Sequence, residues 1–203
     1  MQQRYTAQAE IKEHAMEQLS YSSRCALVVD LIKRLRERGS WCGETHLQKA
    51  LFILQDISKS NFGYKFVIYK HGPYSFEFSS ELTAMRAAGI IEFQFPREGY
   101  GPSIQVTPFG ERIYNVNKQN IERYVATNKF LAEWFAASDV RHLEKVATAY
   151  YVTKKNPRDP AIERARKLNS LKPHVDIPAA EQAVRIVDEK RKEARQQLGA
   201  DAA

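Results

Sequence analysis

Thr45-His46-Leu47-Gln48-Lys49-Ala50-Leu51-Phe52-Ile53-Leu54-Gln55-Asp56-Ile57, with Tyr64-Lys65-Phe66-Val67-Ile68-Tyr69 and His71-Gly72-Pro73-Tyr74-Ser75 downstream, decides the fold. Leu47, Ala50, Leu51, Leu54 and Ile57 recur at helical spacing and predict one amphipathic helix. Thr45 and Gln48 have the spacing of a capping box at its start. Asn61-Phe62-Gly63 is a turn signal, and the aromatic, β-branched run 64–69 predicts a short strand. His71 to Ser75 is expected to break that strand, because Pro73 lacks a backbone donor and biases Gly72 toward a turn. Ser75 can cap a helix whose buried face is Phe78, Leu82 and Met85, and Gly89 supplies its stop.

Upstream, Leu27, Val28, Leu31, Ile32 and Leu35 form another helical stripe that ends at Gly39. Downstream, 90–95 and 104–106 predict strands joined by a turn or wing over 96–102. Thr107-Pro108 then places a cap before a proline at the first helical position. One long amphipathic helix follows, or two separated by a break near Lys118. Further helices are expected after Asp139, from Pro160 to about Lys172, and from Pro178 to about Gln197. This order predicts an α+β, mainly α fold: a winged-helix-like core with a small antiparallel sheet and a C-terminal helical layer. The expected division is a polar helical or flexible N-terminal extension (1–22), the core (23–107), the helical layer (108–197) and a frayed tail (198–203).

A chain of 203 residues can bury a real core without disulfides. Cys25 and Cys42 are expected as free thiols packed like small apolar groups. No apolar run reaches the length of a membrane helix, and the N-terminus is too polar for a signal peptide, so a cytoplasmic location is expected. The net charge of +7 permits contact with nucleic acid or an acidic protein. Seven basic residues fall between Thr153 and Lys172, against Asp159 and Glu163.

Several fragments together resemble the Panacea, or SocA-like (YwgA-like), antitoxin-type domain family. Leu47-Gln48-Lys49-Ala50-Leu51-Phe52-Ile53-Leu54-Gln55 looks like its LQK helix, with Phe52 where a tyrosine is common. Phe66 to Ser75 looks like its strand ending in Tyr-x-x-Gly-Pro-Tyr/Phe-Ser. Glu81-Leu82 through Gly89-Ile90-Ile91 and Val106-Thr107-Pro108-Phe109-Gly110 match a helix ending in Gly with an apolar pair and a Thr-x-x-Gly helix start. The resemblance covers roughly residues 24–187. It implies an antitoxin or accessory domain that binds a protein partner such as a cognate toxin or effector.

The residues themselves offer no catalytic pattern. None of the five histidines sits in a His-Glu-x-x-His arrangement, Cys42 and His46 are too few for zinc, and no phosphate-binding glycine loop is present. No cofactor or metal is expected. Lys49 should flank the apolar stripe of its helix, as a structural lysine or as part of an interface. Tyr69, His71 and Tyr74 bracket the turn and are the candidate partner-binding residues beside Lys49, with His71 and Tyr74 expected at least partly exposed. The alternative is a DNA-binding transcriptional regulator with a winged-helix-like fold, binding nucleic acid weakly. Its candidates are Lys154, Lys155, Arg158, Arg164, Arg166 and Lys167, because the third helix of the core offers Glu77 and Glu81 against a single Arg86. Oligomeric state has no signal in the sequence.

Overall fold

The computed structural model describes residues 19–95 and 101–199. The expected N-terminal extension up to residue 18, residues 96–100 of the expected turn or wing, and the expected tail from 200 lie outside the described residues. The fold is α+β and mainly α. Its elements run α1 (Tyr21–Glu37), α2 (Glu44–Ile57), β1 (Val67–Tyr69), β2 (Gly72–Tyr74), α3 (Phe76–Ala87), β3 (Ile91–Gln94), β4 (Ser103–Val106), α4 (Pro108–Phe135), α5 (Val140–Lys155), α6 (Ala161–Leu171) and α7 (Ile177–Leu198).

α1 begins where the Ser20 hydroxyl accepts the Ser23 amide, and its apolar side from Cys25 to Leu35 is buried. It packs along α4. Asp30 fixes the pairing from inside: it accepts from Arg34 at 2.8 Å and from Asn128 of α4 at 2.9 Å. α4 starts as its sequence demands, with the Thr107 hydroxyl accepting the Gly110 amide and Pro108 in the first turn. Gly110 is required by close approach, since a Cβ there would stand 2.2 Å from the Ile90 carbonyl oxygen. The helix runs unbroken through Lys118 for 28 residues, because its buried side chains continue without a gap from Asn117 through Ile121 and Tyr124 to Phe135.

Four local expectations are corrected. The sheet is two separate antiparallel hairpins, β1–β2 and β3–β4. The segment 71–75 does not simply end a strand: Gly72–Tyr74 returns as β2, with Val67 opposite Tyr74, Ile68 opposite Pro73 and Tyr69 opposite Gly72. Only the last three residues of 64–69 join that ladder, because Tyr64 turns into the core against Phe62 and Phe78. The Thr45–Gln48 capping box is absent. α2 begins two residues earlier, capped at Gly43 instead of Thr45, and Gln48 is fully buried with partners elsewhere.

Other starts and stops follow local chemistry. Asp139 caps α5, Asp176 caps α7, and Ser75 caps α3 by accepting the Phe78 amide at 3.3 Å. Replacing Ser75 with alanine is expected to lower stability by about 1 kcal/mol, the usual loss for such a cap, read as a shift in the urea midpoint at unchanged slope. Cys25 and Cys42 are free and buried, and burial pushes their thiols up to about 11 and about 12. Among the described residues no helix is long and apolar enough to cross a membrane.

Candidate functional site

The hairpin β1–β2 carries the site. Strand alternation and the observed register put Val67, Tyr69 and Tyr74 on one side. Phe76, at the start of α3, joins them. Tyr69, Tyr74 and Phe76 form a ring triad with centroid separations of 5.1 to 5.6 Å, the tilted and edge-on geometry that aromatic quadrupoles favour. Yet these rings are not core. Tyr69 is 47% exposed, Phe76 56% and Val67 46%. Tyr74 is half-buried, and its hydroxyl donates to Glu44 at 3.2 Å. Desolvation, with the Glu44 carboxylate adding to it, pushes the Tyr74 phenol above its ordinary value.

The other side of the hairpin is fixed by three buried polar side chains. Gln48 accepts the Ser75 amide at 2.9 Å and donates to the Ser75 carbonyl at 3.0 Å. Lys49 donates to the Pro73 carbonyl at 3.0 Å. Lys172, from the end of α6, donates to the carbonyls of Tyr69 at 2.8 Å and of Lys70 in the turn. Lys172 also pairs with Glu144 at 2.9 Å. Gly72 closes the arrangement. It has φ of +86°, and a Cβ there would stand 2.9 Å from the Thr148 hydroxyl. The backbone that displays the aromatic rings is therefore held by α2, α5 and α6 together.

Of the four sequence-predicted partner residues, Tyr69 and Tyr74 fall on one small surface, and His71, in the turn between them, reaches solvent beside it. Lys49 does not. It is 1% exposed, so of the two alternatives it is the structural lysine and not part of an interface. The reason is the inward-facing Pro73 carbonyl, which has to be satisfied where water does not reach. Phe76 and Val67 are functional candidates that the sequence reading missed. Phe76 could have been found, because it stands two residues ahead of the buried stripe Phe78, Leu82 and Met85 and so lies off that face.

His71 faces a different neighbour. Its Nδ1 lies 3.7 Å from Glu144, and the Nε2 of His174 lies 3.5 Å from the same carboxyl. These three line a cleft of about 540 Å³ between the hairpin turn and the first turns of α5 and α7. Among the described residues no group of three metal-ligating side chains is arranged to hold an ion. Cys42 and His46 are both buried, and His46 contacts the Ser138 carbonyl at 3.0 Å.

The basic stretch is mostly neutralised within the chain. Lys154 pairs with Asp56, Arg164 with Asp188, Arg166 with Glu163 and Lys167 with Asp159, all at 2.6 to 2.8 Å. Arg164 is buried as well, also donating to Thr153. Of the six candidates, Lys155 and Arg158 alone have no carboxylate partner among the described residues, and Lys155 lies over the Tyr151 ring. The stretch is thus a poorer phosphate-binding surface than its charge count implies, since most of its cations would have to leave existing partners. On α3, Glu81 holds Arg24 and Tyr64, and Glu77 accepts from Ser75. No family model and no curated protein matches the chain.

Proposed function

We propose that this chain is a non-enzymatic, antitoxin-like or immunity accessory protein that binds a protein partner such as a toxin and occludes it. The observation that carries this reading is the ring triad of exposed Tyr69 and Phe76 with half-buried Tyr74, on a backbone pinned from behind. Aromatic groups held rigid at a surface are the usual anchors of protein interfaces, because they bury much area and lose little conformational freedom on docking. The cytoplasm is the setting of the proposal, where Cys25 and Cys42 stay reduced. DNA binding ranks below it, since most of the basic stretch is already paired within the chain.

The test is co-expression with the protein encoded beside it, reading both a purified complex and relief of growth arrest. Tyr69→Ala with Phe76→Ala is expected to weaken the complex by about 30-fold or more, the size of a hot-spot loss, with little change in melting temperature. A complex of undiminished affinity with this double variant would refute the assignment of the face.

A further inference from the structure

The cleft beside the hairpin turn has a chemistry of its own. Val140, Val175 and Ala179 give it an apolar wall, and Arg141, Lys145 and His174 stand around it. Its two acids are already engaged. Glu144 is buried and paired with Lys172, and Asp176 accepts the Ala179 amide as the cap of α7. Arg141 and Lys145 have no carboxylate partner among the described residues, unlike four of the six cations in the basic stretch. With Glu144 offset by Lys172, Arg141 and Lys145 face the single carboxylate of Asp176, so positive charge at this cleft exceeds negative. The cleft also adjoins the aromatic face, since His71 lines it and sits in the turn between Tyr69 and Tyr74.

We infer that the cleft receives an acidic segment of the partner protein, with an apolar side chain against Val140 and Val175 and carboxylates on Arg141 and Lys145. This rests on the protein-binding reading and adds the partner's chemistry to it. Charge complementarity selects the acidic occupant, because a basic segment would meet like charge at Arg141 and Lys145. The volume of about 540 Å³ suits a few side chains. A peptide fits better than a small anion, because Arg141 is exposed and Lys145 only half-buried, leaving no enclosed donor set around a single charge.

The probe is a fluorescein-labelled peptide, Glu-Glu-Leu-Glu-Glu-Leu-Glu-Glu, titrated into the whole chain, with the lysine-for-glutamate peptide as control. The acidic peptide is expected to bind at least tenfold more tightly. Arg141→Glu with Lys145→Glu should remove that preference, and the milder Lys145→Gln should weaken it severalfold. Lys155→Glu with Arg158→Glu, which changes the net charge equally elsewhere, should leave affinity within about threefold. Equal losses from both charge reversals would mean diffuse attraction to a basic protein and would overturn the cleft. So would succinate competing as well as unlabelled acidic peptide, which would reassign the cleft to a small dicarboxylate. Failure here alongside partner capture that still depends on Tyr69 and Phe76 refutes the cleft alone. Peptide binding at the cleft without such capture refutes the aromatic face alone.

Discussion

Gly72→Val is expected to destabilise the protein by about 3 kcal/mol, lowering the melting temperature by roughly 6 to 12 °C for a chain of this size. Two costs combine. The φ of +86° is a conformation that β-branched residues avoid. The new Cβ would also stand 2.9 Å from the Thr148 hydroxyl and 3.4 Å from the Glu144 carbonyl. That hydroxyl cannot easily turn away, because it donates to the same Glu144 carbonyl at 2.7 Å. The hairpin would have to lift from α5, stretching the Lys49 and Lys172 bonds to its carbonyls. Partner binding should therefore fall together with stability. Thr148→Ala should recover part of the loss in Gly72→Ala, since it removes the contact and leaves the φ strain. A cost below 0.5 kcal/mol for Gly72→Val would mean that the turn does not sit on α5 as described.

The pattern of legible and illegible features has a simple physical basis. The stripes of α1 and α2, the Ser75 and Asp139 caps and the Thr107-Pro108 start all depend on neighbours within four residues, so periodicity and local hydrogen bonding reveal them. β2 was hidden by its own composition, because glycine and proline read as a break. Pro73 is tolerated because its ladder has only two strands, and its carbonyl is satisfied by a side chain rather than by a third strand. The site itself depends on long-range partners. Gln48 finds Ser75 and Lys49 finds Pro73 across more than twenty residues, and Lys172 reaches Tyr69 across more than a hundred. The same holds for charge. Arg164 looks available until Asp188, 24 residues on, is brought beside it. Tyr69, His71 and Tyr74 were readable as a group because one short turn joins them. Lys49 is adjacent to them in space but lies on the wrong side of the hairpin.

That buried lysine yields the other large expected effect. Burial pushes the Lys49 ammonium from its ordinary 10.5 down to about 8, an effect that nearby Glu144 opposes and Lys172 reinforces. The region holds Lys49 and Lys172 against the one buried carboxylate Glu144, and Lys172 is the cation in contact with it. Below about pH 8 the lysine is protonated both folded and unfolded, so the cost of burying its charge is present in full. Between about 8 and 10.5 the unfolded chain binds the extra proton, and stability contributed at this position rises with pH. The wild type should therefore gain about 2 to 3 kcal/mol relative to Lys49→Met between pH 7 and pH 10. Comparison with the variant cancels tyrosines and thiols that titrate alike in both. At pH 7 the methionine protein should be no less stable than about 1 kcal/mol below wild type, because losing the bond to Pro73 is offset by burying no charge. Parallel stability curves for the two proteins across this range would show that Lys49 keeps its ordinary proton affinity, as it would if water reached it. A wild type that loses stability relative to the variant as pH rises would show that the ammonium itself holds the hairpin down.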